Sequence, residues 1–435
     1  MPGPFDWQNG APPKGREKMP VVFVSWYEAA AFAEFSGKAL PTIHHWNRAA
    51  GFDIFSDILR FSNFGGEGPQ PVGRNQGMGP FGTLDMAGNV REWCSNQVGQ
   101  HRYILGGAWS DPTYMFTSEE ALLPFDRQPA NGIRLARYDT APSDEALGPS
   151  QYDYRDYAKE RPVGDDVFAV YRGLYDYDHT DLAAKVDAVD DTSQHWRRER
   201  VTLAAAYGGE RLTVYLFLPK NAKPPFQVVE YFPPGSALFL PSSERIGSRE
   251  FGFLVRSGRA VVFPVYKGTY ERRLPPGPRG PNVYRDLTVQ RVKDARRALD
   301  YVETRPDLDA KRVGYYGLSL GASAGILIAA IEPRLRAVVL TGGGLPQDTP
   351  LPESDPINFA PRITAPTLMA NGRNDFVNPL EQSQLPLFRL LGISAKDRRH
   401  FVHDGGHVPP GQQEIIRETL AWLDRHLGPV TTGGA

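Results

Sequence analysis

Hydrophobic residues in the second half of the chain occur in short, nearly continuous runs separated by segments with helical spacing. Three runs, at 227–232, 259–266 and 313–318, have the length of buried strands. Before the last run, residues 284–303 have apolar side chains at close to helical spacing, which predicts an amphipathic helix. Buried strands that alternate with helices predict a mostly parallel, doubly wound α/β sheet.

An antiparallel hairpin is predicted at the start of this sheet. Residues 196–206 and 211–218 have strand-like patterns, and the turn between them contains Gly208 and Gly209. A final amphipathic helix is expected over 412–427.

The first third of the chain has a different pattern. An apolar run at 21–25 predicts a short strand, and Ser25 followed by Glu28 predicts a capping box that begins a helix. Thr42 has the same position before a second short helix. From 51 to 137 little periodicity remains, and glycine, asparagine, proline and aromatic residues dominate. We therefore expect a compact, loop-rich α+β domain here.

These patterns divide the chain into five segments. In order, we expect a flexible lead-in, the loop-rich domain, a polar linker with proline and glycine, the α/β domain and a short tail. Their bounds are 1–19, 20–137, 138–160, 161–428 and 429–435.

Composition excludes several classes of function. The 435 residues are enough for two or three domains, and 49 basic against 50 acidic residues provide no basic surface for nucleic acid. No stretch approaches the run of about 20 apolar residues that a transmembrane helix needs. Cys94 is the sole cysteine, so no intrachain disulfide can form. Because the N-terminus is also unlike a signal peptide, we expect a cytoplasmic protein with no membrane span and no nucleic-acid partner.

The strongest chemical signal follows the apolar run 313–318. Gly317, Ser319 and Gly321 form a G-x-S-x-G pattern at a predicted strand-to-helix turn. A serine on such a turn has a strained backbone, and its neighbours must be small so that the chain can fold back on itself. The hydroxyl would lie at a helix N-terminus, where backbone N–H groups can stabilise an oxyanion. The alternative is an ordinary strand–loop–helix connection with an incidental serine.

Two further polar residues follow predicted strands in the order that an α/β-hydrolase requires. Asp375 lies on the turn after an apolar segment that begins at Ala365, and His407 lies on a glycine-containing loop after 399–403. Ser, acid and His in this order, each just past a strand end, are difficult to obtain by chance.

On these residues, segment 161–428 resembles the α/β-hydrolase superfamily, in particular its esterase and prolyl-oligopeptidase-like branch. The resemblance implies a triad of Ser319 as nucleophile, Asp375 as acid and His407 as base. It also implies an oxyanion hole with the Leu320 amide as one donor.

The second oxyanion donor is expected just after the strand at 227–232. Pro233 and Pro234 replace the His-Gly pair that this position usually has in the superfamily. Proline has no N–H, so the donor is either Gly235 or Ser236.

Tyr270 lies in a long loop after the next strand. It either lines the pocket, helps the oxyanion hole or is a rim aromatic. No helical insertion is predicted after Ser319, so the pocket is either open or covered by the N-terminal domain.

The leading interpretation is a serine carboxylesterase that acts on a small-molecule or polymeric ester through an acyl-enzyme and requires no cofactor. A serine peptidase of the prolyl-oligopeptidase type is the alternative, although the sequence has neither a β-propeller repeat nor a Glu-Glu-type amine-binding motif. A third interpretation, from a different class, is a non-catalytic binding or signalling module.

A second resemblance rests on five motifs that occur in order in the first third of the chain. They are 24–33, 37–42, 81–93, 105–109 and 132–136. Over 20–137 the chain resembles the formylglycine-generating-enzyme family, which has the sulfatase-modifying fold. Because that family normally begins with a longer N-terminal portion, we expect either a shortened domain or a piece of a longer protein. The pairing with a hydrolase resembles the C-terminal portion of some bacterial protein kinases.

The chain lacks the catalytic residues of that family, so formylglycine generation is not expected. Formylglycine generation uses a cysteine pair between the last two motifs, but 110–131 contains no cysteine. Asp111 and Phe116 stand at the approximate positions, so no thiol is present to bind copper or attack a substrate cysteine. The related sulfoxide synthases use a histidine cluster, whereas His44 and His45 are adjacent on a helix and point to different faces.

Asn89, Val90 and Glu92 lie where relatives bind calcium through side-chain and backbone oxygens. The alternative is an asparagine turn packed on Trp93. We therefore expect a catalytically inactive accessory domain at 20–137, with a structural calcium ion left open.

Overall fold

The chain divides into two units, Met1–Asp153 (unit 1) and Tyr154–Ala435 (unit 2). The computed structural model describes residues 4–51, 55–111, 113–148, 154–244, 246–275, 277, 280–373, 375, 377–407 and 412–430. Each of the five predicted segments has some residues outside this description, including 1–3 of the lead-in, 149–153 of the linker and 431–435 of the tail.

Unit 1 is built from short elements. Its described helices and strands are α1 (Trp26–Phe35), α2 (Ile43–Ala50), α3 (Phe55–Arg60), α4 (Asp144–Leu147), β1 (Arg91–Val98), β2 (His101–Leu105), β3 (Glu120–Leu122) and β4 (Asn131–Gly132). The strands form one sheet in the order β3-β2-β1-β4, in which β1 pairs antiparallel with β2 and parallel with β4. Apart from a 3₁₀ helix (Thr113–Thr117), most of the other described residues are in loops, and the indoles of Trp46 and Trp93 are fully buried.

The predicted helix starts are confirmed, but the predicted strand before them is wrong. The Glu28 backbone N–H donates to Ser25 Oγ, and the Ser25 N–H donates to the Glu28 carboxylate at 2.9 Å, which completes the capping box of α1. Thr42 Oγ1 accepts from the His45 N–H at the start of α2. Residues 21–25 are irregular because Phe23 has a positive φ of 56°, which interrupts an extended backbone.

Unit 2 alternates strands and helices after an antiparallel start. Its described helices are α5 (Asp165–Gly173), α6 (Gly252–Arg256), α7 (Pro281–Glu303), α8 (Leu320–Ile331), α9 (Leu385–Leu390) and α10 (Gln412–Leu427). Its described strands are β5 (Lys185–Asp190), β6 (Trp196–Ala204), β7 (Arg211–Pro219), β8 (Phe226–Phe232), β9 (Ala260–Pro264), β10 (Leu308–Leu318), β11 (Leu335–Thr341), β12 (Thr367–Gly372) and β13 (Arg398–His403).

These strands form one sheet in the order β13-β12-β11-β10-β8-β9-β7-β6-β5. Strands β8 to β13 pair in parallel, and β5, β6 and β7 add antiparallel pairings at one edge. One face packs on α7 and α8, and the other packs on α6 and α10. The predicted α/β fold class is therefore confirmed, although β5 was not predicted.

The sheet topology fixes where a site can lie. The chain passes from β8 to β9 on one side and returns through α7 to β10 on the other side of β8. In doubly wound sheets, the crevice outside the carboxyl ends of two such strands is the usual ligand site. Among the described residues, no helix is both long and apolar enough to cross a membrane.

Candidate active site

Ser319 lies at the carboxyl end of β10, directly before α8. Its φ of 53° and ψ of −107° are unusual for a residue with a side chain, and such backbone strain costs about 1–3 kcal/mol. The turn is held because the Ser319 N–H donates to the Thr341 carbonyl at 2.8 Å. The predicted sharp strand-to-helix turn is present.

Two glycines make this turn sterically feasible. A Cβ on Gly317 would lie 2.3 Å from the Gly321 carbonyl oxygen. A Cβ on Gly321 would lie 2.2 Å from the Phe232 carbonyl oxygen at the end of β8. The elbow therefore packs directly on the last residue of β8, with no room for a larger side chain at either position.

The structure brings Ser319, His407 and Asp375 together. Ser319 Oγ lies 2.7 Å from His407 Nε2, and His407 Nδ1 lies 2.9 Å from Asp375 Oδ2. His407 and Asp375 are buried, whereas Ser319 is partly exposed. An ionised carboxylate only accepts hydrogen bonds, so the network assigns the imidazole proton to Nδ1 and leaves Nε2 to accept from the serine hydroxyl.

The second oxygen of the Asp375 carboxylate is bound by the backbone that follows it. Asp375 Oδ1 accepts from the N–H groups of Val377 at 2.9 Å and Asn378 at 2.8 Å. Both carboxylate oxygens are thus occupied, and the side chain is aimed at His407 by its own turn.

The expected oxyanion donors lie on two elements that meet at the elbow. Leu320 is the first residue of α8, so its N–H has no intrahelical acceptor. Gly235 and Ser236 begin a 3₁₀ turn, Gly235–Leu238, just after β8. Within the described structure, neither of their N–H groups donates a hydrogen bond. The choice between Gly235 and Ser236 stays open.

Tyr270 is buried beside Phe263 in the loop after β9, and it has a positive φ of 48°. Burial raises the pKa of its hydroxyl, so the group stays protonated and can donate a hydrogen bond. Its hydroxyl makes no hydrogen bond to the part of the chain that the structure describes. A strained backbone around an unused donor is more typical of a functional residue than of a rim aromatic.

In unit 1 the expected calcium ligands are already engaged. Glu92 accepts from Arg134 Nε at 2.7 Å and from Arg134 Nη2 at 2.8 Å, and also from the Trp46 indole at 2.7 Å. Asn89 Oδ1 accepts from the Gln70 N–H at 2.8 Å. A guanidinium on the carboxylate opposes a second cation, so these residues do not fit calcium.

Val90, the third expected ligand, lies between Asn89 and Glu92, directly before β1, and is buried. Among the described residues, no group of three or more His, Cys, Asp or Glu side chains could hold a metal ion.

The positions expected for a thiol pair belong to the core of unit 1. Asp111 pairs with Arg91 at 2.8 Å, and Phe116 packs against the Trp46 ring. Cys94 is fully buried, and burial raises the pKa of its thiol well above the ordinary value. His44 and His45 are both exposed.

Sequence reasoning missed a buried polar group behind Asp375. Asn378, Ser383 and Gln384 are all buried, and they hydrogen-bond to the loops that carry the site. The available signal was three uncharged polar side chains on the segment between strands β12 and β13.

The fold and this arrangement define unit 2 as an α/β-hydrolase domain. Comparison with known families agrees: residues 254–388 match the Dienelactone hydrolase family, and residues 3–139 match the Sulfatase-modifying factor enzyme 1-like domain. The chain therefore carries a sulfatase-modifying-factor-like domain followed by an α/β-hydrolase domain, as the two resemblances predicted.

Individual relatives match only part of the chain. It is 36% identical over 99 residues to the serine/threonine-protein kinase pkn1 of Chlamydia caviae, a match that covers 20% of this chain and 16% of the kinase. It is 29% identical over 134 residues to the inactive C-alpha-formylglycine-generating enzyme 2 of Bos taurus, covering 24% and 44%. The chain thus spans less than half the length of these relatives.

Among solved structures, acetyl xylan esterase 1 from Thermoanaerobacterium sp. JW/SL YS485 is 18% identical with a TM-score of 0.49. The match covers 61% of this chain and 94% of the esterase.

Proposed function

We propose that unit 2 is a serine hydrolase that cleaves carboxylic esters. The observation that carries this proposal is the continuous hydrogen-bonded series from Ser319 Oγ through His407 to Asp375, with the serine on a strained elbow. Each of these groups has the role that nucleophilic acyl transfer requires.

The reaction follows from the proton positions. Ser319 Oγ attacks the ester carbonyl while its proton passes to His407 Nε2. The Asp375 carboxylate holds the Nδ1 proton and stabilises the imidazolium that forms. The imidazolium then protonates the leaving alcohol, and water releases the acid from the acyl-enzyme by the same steps in reverse. Protein groups and water suffice, so the proposed reaction needs no cofactor.

Two backbone amides are proposed to bind the tetrahedral oxyanion. The Leu320 N–H lies at the N-terminus of α8, where the helix dipole also favours negative charge. The second donor is the N–H of Gly235 or Ser236, on the turn after β8. The protonated Tyr270 hydroxyl is the candidate for a further pocket contact.

Two carboxylates near Tyr270 are already engaged, which argues against their binding the free N-terminus of a peptide substrate. Glu271, next to Tyr270, accepts from Ser243 Oγ at 2.6 Å and from the Ser243 N–H at 2.8 Å. Glu250 accepts from the Tyr231 hydroxyl at 3.0 Å, and burial raises the pKa of its carboxyl. Neither is an unengaged negative charge that could bind a substrate ammonium group.

For unit 1 we propose a non-catalytic accessory role. Its single thiol is buried and protonated, and its acidic residues Glu92 and Asp111 are paired with arginines. The proposal covers small-molecule and polymeric esters, and a panel of esters would define the preferred acyl and alcohol groups.

The test is hydrolysis of short-chain p-nitrophenyl esters by the intact chain beside Ser319→Ala. We expect turnover by the intact chain and its loss in the variant, because Ser319 Oγ is the group that would form the acyl-enzyme. Turnover that survives the substitution would contradict the proposed role of Ser319. Hydrolysis of peptides but not of esters would support a peptidase instead.

A further inference from the structure

Asn378 lies three residues after Asp375 and joins two loops of the candidate site. Its backbone N–H donates to Asp375 Oδ1 at 2.8 Å. Its side-chain Nδ2 donates to the Gly342 carbonyl at 3.0 Å. One residue thus bonds the acid directly and also reaches the loop after β11.

The loop that Asn378 reaches lies against the imidazole. Gly342 follows β11 with a positive φ of 66°, and a Cβ on this residue would lie 3.5 Å from His407 Cε1. The Gly342 backbone is therefore part of the surface on which the His407 ring packs. Its own N–H donates to the Ala370 carbonyl at 2.9 Å, which ties the loop to β12.

Asn378 is itself fixed from behind. It is 7% exposed, and Ser383 Oγ lies 3.2 Å from its Oδ1. Gln384 Nε2 donates both to the Asn378 carbonyl at 2.7 Å and to the Gly372 carbonyl, at the end of β12, at 2.9 Å. With its backbone N–H, its carbonyl oxygen and its Nδ2 all bonded, the residue has little freedom to move.

We propose that Asn378 is a positioning residue for the serine hydrolase reaction. It sets the distance between the Asp375 carboxylate and the Gly342 surface, and His407 is held between the two. The inference rests on the proposed function of the same site. Asn378 reaches the reacting atoms only through these neighbours, so it acts on the turnover rate and not on substrate binding.

The test compares Asn378→Leu with a matched buried asparagine. Leucine has a similar size but cannot bond Gly342, and a displacement of about 1 Å in a catalytic group can lower the rate about 100-fold. We expect kcat to fall about 10- to 100-fold with KM unchanged.

Asn358 supplies the control. It is 3% exposed, its Nδ2 donates to the Pro352 carbonyl at 2.8 Å, and its Oδ1 accepts from the Val163 N–H at 3.0 Å. Asn358→Leu removes the side-chain hydrogen bonds of another buried asparagine in the same unit. It should lower Tm by a similar amount while kcat stays at the wild-type value.

A second readout does not depend on turnover. In proton NMR of the resting protein, the His407 Nδ1–H that donates to Asp375 should give a far-downfield resonance. We expect Asn378→Leu to shift or remove this resonance and Asn358→Leu to preserve it. If the wild type shows no esterase activity, the proposed function fails, and the resonance still decides whether Asn378 positions His407 and Asp375.

The inference is overturned if Asn378→Leu keeps both kcat and the resonance while only Tm falls, because that result describes a purely structural asparagine. If this variant does not fold, Ser383→Ala is the milder substitution, since it deletes one hydroxyl that lies between Asn378 Oδ1 and the Leu345 carbonyl. It should lower kcat about 2- to 10-fold with KM unchanged, and an unchanged kcat together with an unchanged resonance would contradict the inference.

Discussion

In unit 1 the buried carboxylate of Glu92 accepts two hydrogen bonds from Arg134 and one from Trp46, whereas in unit 2 the buried carboxyl of Glu230 accepts one from the Tyr266 hydroxyl at 3.2 Å. Oε2 of Glu230 has no hydrogen-bond partner in the described structure. Glu92 is therefore paired with a positive charge, whereas Glu230, in the central sheet of unit 2, has no ion-pair partner among the described residues.

A similar difference separates the positions at which each unit would carry out chemistry. In unit 1, the Asp111 carboxylate forms an ion pair with Arg91, and Cys94 is buried. In unit 2, the buried pair His407 and Asp375 ends at Ser319, which is partly exposed. Buried polar groups that bond only to each other stabilise a fold, whereas a series that ends at an accessible hydroxyl can act on a substrate. The predictions below test this difference, beginning with the largest effect.

The first prediction concerns His407→Gln and Asp375→Asn. Glutamine cannot accept the Ser319 proton as a base, and asparagine favours the wrong imidazole tautomer. We expect kcat for p-nitrophenyl acetate to fall by about 10⁴-fold or more in each variant, with an unchanged circular dichroism spectrum. The double variant should lose little more than either single one, because the residues act as a unit. Full activity in Asp375→Asn would contradict the assigned acid.

The second prediction concerns Glu92, the buried acid of unit 1 that is paired with Arg134. Glu92→Ala leaves Arg134 partly buried without its partner and removes the acceptor of the Trp46 indole. Breaking a buried ion pair costs about 3–5 kcal/mol, so unit 1 should unfold at lower urea concentration. Glu34→Ala, at an exposed position of α1, is the control and should change stability by less than about 0.5 kcal/mol. Loss of esterase activity in Glu92→Ala at low urea would contradict the comparison, which gives Glu92 a role in stability and not in catalysis.

The third prediction concerns the helix that follows the elbow. A Cβ on Gly325 would lie 2.5 Å from the Tyr315 ring and 2.7 Å from Leu340 Cδ2. Gly325→Ala should destabilise unit 2 by about 1–3 kcal/mol, because overpacking exceeds the helical gain of alanine. The control is Gly173→Ala in α5, where a Cβ meets no atom within 4 Å. It should be neutral or stabilising in the same denaturation experiment, and equal effects of the two variants would refute the steric argument.

The fourth prediction concerns Glu230, the buried acid in the central sheet of unit 2. Burial, reinforced by the charge of Glu332, raises the pKa of Glu230 well above its ordinary value. Above that ordinary value the unfolded chain releases a proton that the folded chain keeps, so this group makes stability fall as pH rises. Glu230→Gln mimics the protonated acid. Relative to the wild type, its free energy of unfolding should increase by up to about 1.4 kcal/mol for each unit that the pH rises.

The measurement for this fourth prediction is urea denaturation of both proteins at about pH 5 and about pH 8. The difference in the free energy of unfolding should grow in favour of the variant at the higher pH. The same difference at both values would show that Glu230 is ionised in the folded protein.

Much of the architecture could be predicted because its signals are local. Ser25 and Thr42 cap the helices that they precede, and the final helix over 412–427 has the predicted bounds. Ser319, Asp375 and His407 could be singled out because each follows a predicted strand, and parallel strands place their carboxyl ends at one edge.

Other features depend on tertiary contacts that no local pattern encodes. Strand β5 has no buried face, so its residues gave no alternating signal. The positive φ angles of Phe23 and Tyr270 are imposed by packing, and neither residue type indicates them. The structural roles of Asn378 and Glu92 depend on hydrogen bonds to Gly342 and Arg134, which are distant from them in the chain.

The most direct test of the account is labelling with a fluorophosphonate, which reacts with a serine that is activated by a neighbouring base. Intact-mass analysis followed by peptide mapping should show one label per chain, located at Ser319. His407→Gln should abolish the labelling while the fold persists. A label on another residue, or no label on a folded wild-type chain, would contradict the claim that unit 2 holds an active serine nucleophile.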